Sequence, residues 1–271
     1  MEHHNTWLTE LVNKWLGGAV LALLETLGIH PHDPAYPIPE YVVMGALVVL
    51  LLMAFSMWLK PRLSVERPGA IQQIVEALIT NPTRFAIRDL LDDNTGHHGR
   101  KYLAMVGTVA LFILAANLIS VLPAFSSPTI HPSVPLGCAL LTFVHFNAMG
   151  MKAHGVGAYL KHFAGPVWWM SWLIFPVEII STSARILSLT VRLWANMFSS
   201  ELIYFSILGL FLAPTASLWD KNPLFGAGVG IFTATLPVVF IGLHIFVAVV
   251  QALVFTILPT VYLGLATAEE H

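Results

Sequence analysis

Residues 188 to 202, SLTVRLWANMFSSEL, set Arg192 and Glu201 inside a long apolar run. A guanidinium stays charged at physiological pH and cannot relay a proton. At bilayer depth an arginine costs about 2.5–3.5 kcal/mol even on insertion scales, so it calls for an aqueous cavity or a partner carboxylate. Taken as one helix at about 100° per residue, residues 175–205 bring Glu178, Ser181, Arg185, Ser188, Asn196 and Ser199 within about 40° of Arg192. Together they form one polar stripe on an otherwise apolar helix. Glu201, nine residues beyond Arg192, points to the opposite face. Further along, His244 and Gln251 are seven residues apart and share a face. Glu201 with His244 would make a titratable pair with mobile protons near neutral pH. Acids, His, Ser and Asn in a membrane hold water and pass protons, whereas a fixed cation among them blocks passage and attracts a carboxylate. The chemistry is that of a proton path with a barrier in it. Blander readings stand beside it: the serines could tie helices together, Arg185 could snorkel to the interface, and His244 could be a packing residue.

The elements that carry these residues belong to a membrane protein. Of 271 residues, 56% are hydrophobic and 10% charged, and the mean hydropathy is +0.75. A soluble domain carries about 25% charge. A net charge of −2 speaks against a nucleic-acid partner. The single cysteine, Cys138, excludes an intramolecular disulfide framework and a four-cysteine metal centre. Neither a metal site nor a cofactor is expected. Residues at the N-terminus lack the charged, apolar and small-residue succession of a signal peptide.

A spanning helix needs roughly 20 apolar residues. The pattern predicts an all-α membrane protein with about five crossings, at 40–59, 102–122, 135–150, 165–213 and 226–266. The last two stretches exceed the bilayer requirement; each is either two short spans or one long, tilted helix. The lack of a turn signal across 174–213 favours the long helix. Residues 68–93 alternate apolar and charged positions at helical spacing, as in an amphipathic surface helix, with a kink near Pro82. Residues 1–36 form a separate outer segment, whose WLTELVNKWLGGAVLALLETLG stretch suits a helix at the membrane surface; 37–271 is one integral membrane domain. Seven Lys and Arg fall between 60 and 101, and Lys152 and Lys161 share that side, against Lys14 and Lys221 on the other. Positive residues mark the inner face. The N-terminus is therefore expected outside, and after five crossings the C-terminus inside.

The residues IFPVEIISTSARILSLTVRLWANMFSSELI at 174–203 and HIFVAVVQALVFTILPTVYLGLA at 244–266, with the Ala-Glu-Glu-His end, resemble subunit a of the F-type ATP synthases. The likeness extends more weakly through the first spans and Asn117…Leu122-Pro123. It implies a non-catalytic, proton-translocating stator subunit of a rotary complex in the bacterial plasma membrane. The implied partners are the c-ring of the rotor, the peripheral-stalk b subunits, membrane lipid and, indirectly, a soluble catalytic head. By the same resemblance Arg192 matches the essential arginine facing the ring carboxylate, and Asn196 and Gln251 match polar residues near it. Glu201 and His244 match the outer half-channel, and Glu178, Ser181 and Ser188 the inner one. The resemblance also implies that the last two helices form a tilted hairpin against the ring.

Departures are visible. Ala195 and Trp194 replace the usual glycine and phenylalanine of the arginine motif. The outer loop has His131 and Ser133 where the family often has an acid and asparagine, and Ser120 where an acid often follows Asn117. The outer mouth is expected to hold fewer carboxylates, with Asn117, Ser120 and His131 as possible lining residues. His131 is either a proton collector or a loop residue without a role. A multi-pass secondary transporter is the alternative function, but the internal repeat it would want is not evident. An intramembrane metalloprotease would show H-E-x-x-H, which is absent. Haem ligation is disfavoured because many of the 12 histidines lie in loops or near the N-terminus.

Overall fold

The computed structural model describes residues 6–28, 30–31, 33–80, 87, 91–93, 101–122, 125–157, 159, 168–221 and 223–267. Among these the protein is all-helical: α1 (Trp7–Thr26), α2 (Glu40–Leu59), α3 (Ala70–Thr80), α4 (Leu103–Leu118), α5 (Ser133–His154), α6 (Ser171–Lys221) and α7 (Pro223–Thr267). Five stretches are long and apolar enough to cross a membrane: Glu40–Arg62, Leu103–Val121, Ser133–Lys152, Ser171–Ile207 and Val238–Tyr262.

Local chemistry sets the helix ends. The proline-rich 31–39 stretch precedes α2, and Glu40 places a carboxylate in its first turn, against the positive end of the helix dipole. Lys60, Pro61 and Arg62 close α2 with a 3₁₀ turn. There the Arg62 guanidinium lies 4.3 Å from the Trp58 ring centroid, an aromatic–cation pair suited to a membrane interface. Gly155, at φ 82° and ψ 151°, takes a positive-φ conformation open chiefly to glycine where α5 ends.

The two long stretches are single helices, but their bounds differ from the expected ones. α6 begins at Ser171 rather than 165 and runs through Pro214 to Lys221. α7 starts at Pro223 rather than 226, with proline in the first helical position, where a missing N–H costs nothing. At 1.5 Å per residue, the 51 residues of α6 span about 77 Å, against a hydrocarbon core of about 30 Å. A helix of that length crosses such a core only by tilting or by extending beyond it. α3 covers the first half of the expected amphipathic helix; Pro82 and its kink lie outside the described residues.

The α6–α7 hairpin packs against α4 and α5, α2 leans on α4, and α1 touches α2. The central core joins Val109 and Ile113 of α4, Ala139 of α5, Leu189, Leu193 and Met197 of α6, and Phe255 of α7. A second cluster sets Tyr102, Val106 and Ala110 against Phe146. Thr182, Thr190 and Thr256 are buried by bonding the carbonyl four residues back, which satisfies their hydroxyls without a partner helix.

Candidate functional site

Two polar regions fall on different faces of α6. The first is the stripe. Ser188, Arg192, Asn196 and Ser199 are exposed, and Glu178, Ser181 and Arg185 are half-buried. The core-facing Leu189, Leu193 and Met197 lie roughly 60–140° round the helix from Arg192. The stripe therefore looks away from the bundle, along the least enclosed of the five spans. Among the described residues the Arg192 guanidinium makes one hydrogen bond, to Ser188 Oγ at 3.5 Å, and meets no carboxylate. Arg185 differs: its guanidinium stacks 4.8 Å from the Tyr262 ring centroid.

Gln251 makes no hydrogen bond to Arg192 among the described residues. It is buried on α7, and its Oε1 has no partner among the described residues. Glu178 lies in the N-terminal part of α6, close enough to Tyr159 for its charge to be felt there. Burial, and after it the charge of Glu178, raise the Tyr159 phenol above its usual range. The Tyr159 hydroxyl donates to Asn147 Oδ1 at 3.0 Å.

The second region is enclosed. His244, buried on α7, has both ring nitrogens engaged. Nδ1 lies 2.6 Å from Ser200 Oγ on α6. Nε2 lies 3.0 Å from Ser120 Oγ and 3.1 Å from the Asn117 carbonyl on α4. A carbonyl only accepts, so Nε2 donates to it; in a neutral ring Nδ1 would then accept from Ser200. Ser120 Oγ also donates to the Asn117 carbonyl at 3.0 Å.

Glu201 does not pair directly with His244. Its Oε1 accepts from the Ser127 backbone N–H at 3.4 Å, and Ser200 is the residue of α6 that reaches the imidazole. The 3₁₀ turn Pro128–Ile130 wedges among α2, α4, α5 and α6. Its place is fixed by buried bonds: Ser127 Oγ donates to the Ala116 carbonyl at 2.8 Å, and Thr129 Oγ1 donates to Asn117 Oδ1 at 2.7 Å. Asn117 Nδ2 is buried without a partner among the described residues, the kind of donor that ordered water satisfies.

The neighbouring Ser126 Oγ donates to Glu40 Oε1 at 2.8 Å. Adjacent residues of one loop thus hold two carboxylates, Glu40 and Glu201. A second acid reaches this loop from the start of α2. No residue spacing reveals this, since Ser126 and Glu40 are 86 positions apart. Ser126, Ser127, Thr129 and Ser200 also escaped notice, each being an ordinary loop or helix hydroxyl in sequence. His131 stacks on Tyr41 with centroids 4.0 Å apart, and its Nδ1 accepts weakly from Ser133 N at 3.5 Å. Ring stacking and a helix-start contact are among its interactions. The described residues contain no cluster of metal-ligating side chains.

Known proteins carry the same pattern. The family described as ATP synthase A chain matches residues 42–264. The ATP synthase subunit a of Koribacter versatilis (strain Ellin345) is 40% identical over 268 residues, which cover 99% of each chain. That of Solibacter usitatus (strain Ellin6076) is 39% identical over 96% of this chain and 100% of its own. ATP synthase subunit a 1 of Syntrophotalea carbinolica (strain DSM 2380 / NBRC 103641 / GraBd1) is 35% identical over the full length of both. With a family match over most of the chain and relatives aligned end to end, this multi-pass helical membrane protein belongs to the ATP synthase subunit a family, a component of ATP synthesis and ion transport.

Proposed function

We propose that this chain is the proton-conducting stator subunit of a rotary F-type ATP synthase in the bacterial plasma membrane, and makes no bond itself. Its partners are the c-ring, the peripheral-stalk b subunits and, indirectly, the soluble head. Residues 37–271 act as one membrane domain, with the N-terminus outside and the C-terminus inside.

Protons enter from outside past Glu40 and Glu201, pass the Ser200–His244–Ser120 group and neutralise a ring carboxylate. The neutral carboxylate travels through lipid. It releases its proton on the other side into an inner half-channel near Glu178, Ser181 and Ser188. Arg192 stands between the two paths, where its guanidinium accepts no proton and draws the returning carboxylate into its charged form. Asn196 shares the ring-facing stripe, and Gln251 lies behind it on α7. The driving field supplies about 2.3 kcal/mol per charge per 100 mV.

One observation carries this reading: Arg192 lies on the outward face of α6 without an acid partner among the described residues. A guanidinium left against lipid is costly, so this face wants a carboxylate from another chain. The enclosed acid–histidine group on the other side of the helix supplies a separate route.

Inverted membrane vesicles carrying Arg192→Ala test it. ATP-driven acidification should be lost, and passive proton leak should rise once the head is stripped off. Normal coupled pumping would sink the proposal.

A further inference from the structure

α1 is turned inside out for a helix in water. It buries Thr9, Asn13 and Gly17 and leaves Trp15 80%, Leu23 59% and Leu16 56% exposed. The buried side is shaped to fit the chain that leads into α2. Asn13 Nδ2 donates to the Ile38 carbonyl at 2.9 Å, and Asn13 Oδ1 accepts from the Ile38 N–H at 3.0 Å. The same Nδ2 bonds the Thr9 carbonyl within the helix at 2.9 Å. Beside it Gly17 lets the helix approach Pro37; a Cβ at Gly17 would stand 3.4 Å from the Pro37 ring.

Projected at about 100° per residue, α1 divides into three faces. Thr9, Asn13, Gly17, Val20 and Leu24 face the chain. Glu10, Lys14 and Glu25 form a charged strip on one flank, all exposed, with the exposed Trp7 and the half-buried Leu21 at the same angles. Leu11, Trp15, Leu16, Ala19, Ala22 and Leu23 fill the remaining, broad apolar arc.

From this division we infer that α1 lies in the membrane interface at the Glu40 end of α2, with the Leu11–Trp15–Leu23 arc seated in lipid and the Glu10–Lys14–Glu25 strip in water. Three observations choose lipid over a protein partner. On α2, the membrane-crossing helix that α1 touches, Val42, Val49, Leu50 and Met53 are likewise exposed. The arc and the charged strip adjoin, as they do in helices lying along an interface. Trp15, the most exposed of the arc's large side chains, has the amphipathic ring that settles at headgroup level. One cation against two acids in α1 makes the attachment apolar rather than dependent on anionic lipid.

The intact complex in lipid nanodiscs provides the test, with both membrane faces open to solutes. In a Cys138→Ala background, an environment-sensitive fluorophore is attached after Trp15→Cys or Leu23→Cys, and after Glu10→Cys or Lys14→Cys. The first pair should emit to the blue, be quenched by nitroxides placed high on the acyl chain, and resist iodide several-fold better than the second. Raising salt or removing anionic lipid should leave that contrast unchanged. Iodide quenching at position 15 equal to that at 14 would put the arc in water and overturn the inference. Protection from both quenchers would mean that a protein covers the arc, which overturns it equally. No proton flux is measured, so the result stands or falls separately from the role of Arg192.

Discussion

At Ser127 one residue does two separable things. Its backbone N–H faces Glu201, while its hydroxyl ties the loop to the Ala116 carbonyl. Ser127→Ala should therefore keep proton conduction, because the amide remains, yet lose about 1–3 kcal/mol of stability from a buried carbonyl left unpaired. Thermal unfolding of the complex beside flux through head-stripped vesicles would show the split; loss of flux at unchanged stability would refute it. Glu40 is the converse case. It is half-buried, holds the Ser126 hydroxyl and contributes no core packing. Glu40→Gln retains an acceptor for Ser126 but cannot exchange protons. Inward flux should fall on the order of tenfold, short of the 10²–10⁴ seen when a group acts directly on a reacting centre. Glu40→Asp should restore much of it. Equal flux in Glu40→Gln and the parent chain would remove Glu40 from the path.

Among the elements, α1 and α2 are joined by a side chain that imitates a backbone. The Asn13 amide offers one donor and one acceptor to Ile38, two residues before Glu40. Asn13→Ala leaves both Ile38 groups unsatisfied, at about 1–3 kcal/mol for each that stays dry. Amide exchange at Ile38 should accelerate accordingly, and protease cleavage in 27–37 should increase. Asn13→Asp keeps the acceptor and loses the donor, so its effect should fall between. If exchange at Ile38 is the same in all three chains, α1 does not hold the start of α2. The long helices teach a related lesson. Pro214 lies within α6 without ending it, so proline marked a probable boundary at 213 that the packed hairpin overrode. The 3₁₀ turn at Lys60–Arg62 shows proline acting as a stop, with a basic cluster beside it at the membrane edge.

For the whole molecule, the basic residues are expected to set the orientation. Lys60, Arg62 and Arg67 follow α2 at one end, and the His131 loop lies at the other. In the Cys138→Ala background, Val65→Cys should react with a membrane-impermeant maleimide only in inverted vesicles, and His131→Cys only in right-side-out ones. Both positions are exposed enough that access from one side, rather than burial, decides the outcome. The opposite pattern would reverse the chain in the membrane and exchange the inner and outer paths. Either way, the two polar regions stay on different faces of α6. That separation puts the Arg192 cation on the outward face of one helix and Glu201, bonded to the Ser127 amide, on another.

The spans, the arginine stripe and the shared face of His244 and Gln251 were legible because each depends on helical periodicity, which is local: residues three, four or seven apart meet wherever the helix goes. Composition likewise fixed the membrane class, since a mostly apolar chain has few other solvents. The junction of Glu40 with Ser126, of Ser127 with Glu201, and of Ser120 with His244 across 124 positions was not legible. These contacts come from how four helices and a wedged turn pack, and an isolated serine carries no sign of the partner it will meet. Sequence pattern thus settled which residues share a helix face. Tertiary packing decided which faces close on one another, how Glu201 is separated from the imidazole, and where a second carboxylate joins them.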